Sequence, residues 1–400
     1  MKLTLSAVTL LLLLAPAGPA FGQAPKLLVS GYTSGAIHAF DAAGASLGEL
    51  GAVPGAQSMR YGPDGHLYVC AEESDAVLRF HGVTGAPLGP FVWDDPLTPA
   101  DETGGLDTPT AAVFGPDGML YVASFSQDAV LRYDGDTGAY IDEFISADSG
   151  TLDGPDAGMD FGPDGHLYIP SFNNNRVLRY DGKTGDPMGT FTPVDASVLS
   201  RPRCLRWRGD GLLYVTSWGN NRVLRYDLEG ELVDIFATVF RPSGLAFDPE
   251  GNLLVTSDQN NFVRMFDGTS GAAMGQFGDA PGAGVLGATY LEWLPNPELV
   301  MQQPWPREAD ELNTFGLSNA TPNGVVWLAI GVNTSSWPIA CAQDFLGVAA
   351  PLFKPVMADP DGVWQATVPI RIEALGTTLV VQAYDSAGAC LSNLVIATFD

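Results

Sequence analysis

Residues 114–144 read FGPDGMLYVASFSQDAVLRYDGDTGAYIDEF, and the same phrase returns almost intact at residues 161–191. Looser copies occupy residues 61–91, 207–236 and 247–277. Such a period outranks local propensity, because units that cannot bury their own faces must stack on one another. Within the quoted copy and just ahead of it, residues 110–114, 119–124, 129–134 and 140–144 are predicted strands. The turn Gly115-Pro116-Asp117-Gly118 and a second turn at residues 135–138 separate them. Asp-Gly is a hairpin signal, since glycine takes a positive φ without Cβ strain. Turn glycines recur at Gly65, Gly118, Gly165, Gly211 and Gly251, with no helical periodicity between them.

Four short strands per unit, repeated radially, describe a β-propeller. The repeat region is incomplete at both ends, in a complementary way. Residues 26–50 hold strands two to four of a unit, and residues 288–293 hold a lone first strand. Joined, they make one blade from the two ends and close the ring, which removes exposed sheet edges. The expectation is an all-β chain in which residues 23–296 form a six-bladed propeller. The turns Asn174-Asn175-Arg176 and Asn220-Asn221-Arg222, each followed by Val-Leu-Arg-Tyr-Asp, resemble the NHL repeats of secreted bacterial propellers. The resemblance covers about residues 26–294. It implies a functional face built from the loops between strands two and three and from the links between blades. It implies no single activity, because enzymes, binding modules and scaffolds share the fold.

The remaining segments read differently. Lys2, a Leu-rich stretch at residues 3–15 and small residues up to Gly22 form a secretory signal over residues 1–22, and the expected product is exported, secreted or periplasmic. No later stretch offers about 18 uninterrupted apolar residues for a membrane span. Beyond Pro295-Asn296-Pro297 the repeat phrase vanishes, and residues 297–400 read as a β-sandwich-like domain. Its predicted strands are residues 299–303, 312–317, 325–330, 364–370 and 378–384. An oxidising compartment would permit a disulfide between Cys341 and Cys390, whereas Cys70 and Cys204 fall in distant blades and read as small buried residues. Acidic residues outnumber basic ones 46 to 19, for a net charge of −27. That balance disfavours nucleic acid and anionic membranes, which need clustered Lys and Arg.

Candidate chemistry gathers at the mouth of the channel. The longest link, residues 93–108, carries Trp93, Asp94, Asp95, Asp101, Glu102 and Asp107. Trp93 and Trp218 break the repeat and suit stacking on a sugar or a cation. Arg201, Arg203 and Arg241 precede the first strands of blades five and six, while acidic links crowd blades two to four, so a polarised mouth is expected. Propeller lyases resembling virginiamycin B lyase use mouth-facing histidines. Here His66 and His166 follow the lower turns and His38 and His81 lie on outer elements, so that carry-over fails. A calcium-dependent lactonase of the gluconolactonase kind needs only oxygen ligands, for which Asp156, Asn174, Asn220 and Asp258 are the candidates. The favoured reading is a binding or scaffolding module with a protein, peptide or glycan ligand at Trp93, Asp94, Asp95, Asp156, Arg203 and Trp218, and no cofactor. The alternative is a lactonase or lyase dependent on calcium or another divalent metal.

Overall fold

The computed structural model describes residues 27–82, 84–94 and 102–293 in full, and beyond them only the backbone of strands between residues 300 and 398. Six four-stranded antiparallel sheets make the propeller. Blade 3 runs outward from the channel as Pro109–Phe114, Leu120–Ser124, Ala129–Tyr133 and Tyr140–Ile145. Blades 2, 5 and 6 repeat this order from inner strands Ala56–Tyr61, Pro202–Trp207 and Pro242–Phe247. Blade 1 is composite: Ala288–Trp293 lies innermost, followed by Leu27–Gly31, Ala36–Phe40 and Ser46–Ala52. Leu27 pairs with Trp293 and Val29 with Leu291, so the two ends of the repeat region share one sheet.

The lower turns explain the repeated phrase. Tyr68, Tyr121, Tyr168 and Tyr214, from the second strands, are buried. Each meets an aromatic ring of the next blade edge-on: Phe114 at 4.9 Å, Phe161 at 5.2 Å, Trp207 at 5.1 Å and Phe247 at 4.9 Å. Their hydroxyls donate to the turn aspartates Asp64, Asp117 and Asp164 at 2.8 Å and Asp210 at 2.9 Å. The same aspartates accept the backbone N–H two residues on. Aspartate, glycine and tyrosine at fixed spacing therefore pin the second strands of blades 2 to 5 to their turns and to the neighbouring blades. The recurring Arg-Tyr pair is structural too, since Arg132 bonds Asp142 and lies 5.2 Å from the centre of the Phe144 ring.

Blade 4 departs from the pattern. Its inner ladder is only Asp160–Phe161, preceded by an isolated bridge from Pro155 to Ser171. Between them Gly158 bridges in parallel to Cys204 on the inner strand of blade 5. A Cβ at Gly158 would lie 2.5 Å from Cys204 Sγ and 2.7 Å from its Cα, so only glycine permits this approach. Cys70 and Cys204 are buried free thiols.

In the C-terminal segment Val300–Met301, Leu312–Ser318 and Trp364–Pro369 pair in one sheet. A second holds Val325–Asn333, Val348–Met357, Thr378–Asp385, Cys390–Leu391 and Val395–Thr398. Val348–Met357 is a strand that sequence reading missed, because Pro351 and Pro355 argue against a ladder. It lies at a sheet edge, where a missing N–H is tolerated. The signal segment, Asp95 and Cys341 lie outside the described residues.

Candidate functional site

One repeat position builds the mouth. The first residue after the second strand of each blade is, in ring order, Tyr32, Glu72, Phe125, Phe172, Trp218 and Asp258. All six line two adjoining cavities of about 420 and 270 Å³. Gln57, Glu72 and Arg203 belong to both, and Thr110, Asp156 and Thr289 complete the inner-strand contribution. Position for position the ring is aromatic over blades 3 to 5 and polar over blades 6, 1 and 2. Phe125 and Phe172 lie 6.3 Å apart, and Phe172 and Trp218 6.0 Å apart.

The backbone beneath this ring is strained in a regular way. Each upper loop turns through a left-handed residue: Gly35, Asp75, Asp128, Asn175, Asn221 or Asn261. In the last five blades its side-chain oxygen accepts the backbone N–H at the start of the next blade, at Thr108, Gly154, Arg201, Arg241 and Gly287. Those receiving residues are left-handed as well, at φ 59° for Thr108, 50° for Arg201 and 48° for Arg241. Such strain at residues with side chains persists where surroundings over-determine it, commonly at binding sites.

Arg203 sits between two carboxylates. Its Nε donates to Asp156 Oδ2 at 3.1 Å and its Nη1 to Asp258 Oδ2 at 3.3 Å. Trp218 Nε1 donates to the same Asp258 oxygen at 2.9 Å. Burial works against the guanidinium charge, but Asp156 and Asp258 outweigh it and raise its pKa. The Gly158 bridge brings Asp156 here, since Gly158 N donates to Arg203 O and Leu205 N to Gly158 O. On the polar side Glu72 accepts from Tyr32 OH at 3.0 Å and from Gln57 Nε2. Burial first, then Glu72, pushes the Tyr32 phenol up to about 12, which keeps it a donor.

The predicted binding residues divide. Asp156, Arg203 and Trp218 converge at the mouth. Trp93 is exposed and does not line the cavities, and Asp94 turns back on its own link to accept the N–H groups of Glu102 and Thr103. The proposed oxygen ligands divide too. Asp156 and Asp258 meet, but across a guanidinium. Asn174 and Asn220 point elsewhere: their amides donate to Thr151 O and to Val198 O. Among the described residues no three His, Cys, Asp or Glu side chains group as a metal site. The oxygen set therefore does not fit a divalent ion in this arrangement, because Arg203 already supplies the positive charge. Phe125, Phe172, Gln57 and Glu72 were not singled out in the sequence. Aligning the residue after each second strand would have found all but Gln57.

Below the mouth a second polar layer crosses the channel. Arg60 of blade 2 approaches Asp160 of blade 4 at 3.5 Å and Glu292 of blade 1 at 3.8 Å, and Arg206 of blade 5 also pairs with Glu292. Burial pushes Glu292 up to about 7 against the pull of Arg60, and raises Asp160 as well.

No family model matches the chain, and no curated protein matches it by sequence. Among solved structures a chain of a nidogen–laminin complex aligns at 14% identity over 66% of this chain and 97% of its own, with a TM-score of 0.54. A protein of unknown function from Bacteroides caccae aligns at 14% identity over 67% and 98%, with a TM-score of 0.51. A streptogramin B lyase aligns at 16% identity over 64% and 80%, with a TM-score of 0.47. The first two likenesses show the six-bladed propeller fold and nothing of activity. No helix among the described residues is long and apolar enough to cross a membrane.

Proposed function

We propose that the protein is an exported propeller of the NHL type that binds a protein, peptide or glycan at its channel mouth. The observation that carries this reading is Arg203 lying between Asp156 and Asp258. Calcium takes about six to eight oxygen ligands turned to one point. Here a guanidinium sits between the two carboxylates and pairs with both. What remains at the mouth is a wall of three partly exposed aromatic rings facing fixed polar groups, a mixture suited to holding a ligand by shape and a few directed hydrogen bonds. Aromatic side chains give large contact area and lose few rotamers on binding.

The test uses the full chain on glycan and peptide arrays, with calcium titration followed by thermal unfolding. The expected result is a retained ligand, lost in Trp218→Ala, and a melting temperature that neither calcium nor chelator moves. A calcium-dependent rise in melting temperature that vanishes in Asp156→Ala, together with lactone hydrolysis, would instead favour the metal-dependent lactonase or lyase.

A further inference from the structure

We propose that the ligand at the mouth is an acidic sugar, with its hydroxyl-bearing ring over the aromatic wall and its carboxylate on Arg201 and Arg241. This rests on the binding reading above and names the chemistry of what is bound.

The distribution of arginines is the first observation. Arg60, Arg132, Arg179, Arg203, Arg206, Arg208 and Arg225 all make ion pairs, as expected in a chain of net charge −27. Arg201 and Arg241 make none among the described residues, and both stand at the upper ends of their blades. Arg176 and Arg222 begin the third strands of blades 4 and 5 at the same end, and among the described residues they too lack a carboxylate partner.

The second observation is the effort spent on placing two of them. Arg201 and Arg241, like Thr108 of blade 3, hold left-handed backbone where the other blades use Gly55, Gly154 and Gly287. Their guanidinium groups are laid on one indole, Arg241 at 3.7 Å and Arg201 at 5.6 Å from a Trp218 ring centre, with Arg201 also 5.7 Å from Phe172. Asp258 fixes that indole through its N–H. Stacking holds a guanidinium plane and leaves its N–H edge directed outward, the arrangement that grips a carboxylate by two hydrogen bonds. Arg241 Nε is buried and has no partner.

The adjoining cavity selects the rest of the ligand. Its charged groups are Glu72, Asp156 and Arg203, and Asp156 is committed to Arg203. Around them Gln57, Thr108, Thr110 and Ser126 offer donors and acceptors beside the faces of Phe125 and Phe172. A sugar ring matches this, with hydroxyls at its edge and C–H groups on its face. An acidic peptide would meet the same arginines, but it carries no hydroxyl-edged ring to lie on the faces of Phe125 and Phe172.

The experiment is calorimetric titration of the full chain, at low and at physiological salt. The probes are uronate oligosaccharides (galacturonate, glucuronate and mannuronate), each beside its carboxyl-reduced neutral counterpart, with a polyglutamate peptide as control. At low salt at least one uronate is expected to bind about tenfold tighter than its neutral counterpart, a gap that narrows as salt screens it. The Arg201→Gly/Arg241→Gly double variant keeps a backbone suited to both positions. It should close that gap, and its melting temperature checks that the fold is kept. Equal affinity for acid and neutral forms, a gap that survives in the double variant, or tighter binding of polyglutamate would overturn the proposal. Neutral sugars held through Trp218 without any gap would sink this inference alone. Failure of every sugar and peptide would sink the binding reading with it.

Discussion

The two ends of the blades follow different rules. At the lower end, four blades make one contact four times: a second-strand tyrosine bonds its turn aspartate and packs edge-on against the next blade. At the upper end, one repeat position holds Tyr32, Glu72, Phe125, Phe172, Trp218 and Asp258, and no two adjacent blades share a residue except blades 3 and 4. Repetition of a contact around a ring is what closure of the ring demands. Departure from repetition, at a position that faces an open cavity, is not something ring closure requires. On the binding reading proposed above, the same backbone frame serves stability below and selectivity above.

Breaking the upper end at its centre should have the largest effect. In Arg203→Ala two carboxylates lose their shared partner, and Asp156 has almost no access to solvent. Removing one member of a buried charged set costs about 3–5 kcal/mol, so a loss of roughly 3 kcal/mol is expected in urea unfolding at neutral pH. Arg203→Ala/Asp156→Asn/Asp258→Asn should recover much of it, because no buried charge is then orphaned. Failure of the triple variant to recover would mean that Arg203 acts through packing, and the cation-in-place argument against a metal would weaken.

The layer between the two ends should respond to pH. Glu292 has an ordinary value of 4.5 and is pushed up to about 7 by burial. An acid with a raised folded value favours the protonated folded state. Its contribution is fully present below about 4.5 and is lost as pH rises through about 7. The protein should be more stable at the acid end of that window, by an amount on the order of 2 kcal/mol. Comparing unfolding at several pH values with Glu292→Gln isolates the group. A slope in the variant as steep as in the parent would assign the effect elsewhere.

Much of this architecture was legible in the sequence, for a physical reason. Strand lengths, Asp-Gly turns and complementary ends are local features that a period exposes. The composite blade followed because residues 26–50 and 288–293 each lacked what the other had. The mouth was legible only in part. Trp218 stood out because it broke a pattern, but Phe125 and Phe172 were hidden among the apolar residues of their own repeats. Asp94 looked available because charge in a long link suggests a ligand, yet a long link is held in shape by its own carboxylate here. Asp156 and Asp258 were found, but their partner was not assigned. A cross-blade ion pair depends on how closely two inner strands approach, and here that rests on the single glycine Gly158.

The lower end makes a sharper claim, that its copies are equivalent. Tyr121→Phe removes one partly buried hydrogen bond to Asp117 and keeps the ring packing, for a loss of about 1 kcal/mol. Tyr68→Phe and Tyr168→Phe should cost the same within about 0.5 kcal/mol, since the geometry recurs. Alanine at the six upper positions should instead scatter widely in both stability and binding. A scatter among the tyrosines as wide as that among the upper residues would erase the contrast between the two ends.

The smallest effect tests whether the upper end is strained for its ligand. At Arg201, φ is 50° and the side chain is exposed, stacked on Phe172 and Trp218. Arg201→Ala loses a stacking interaction of about 0.5–1 kcal/mol and retains the left-handed strain. Arg201→Gly loses the same stacking but releases a strain of about 1 kcal/mol or more, offset in part by the freer unfolded chain. Glycine should therefore be the more stable substitution by about 0.5–1 kcal/mol, the reverse of the order in ordinary β structure. Both orders are readable from melting temperatures of the two variants measured side by side. If alanine proves the better tolerated, the backbone at Arg201 is relaxed in solution. The arginines would then lose the strain that marks them as placed for binding.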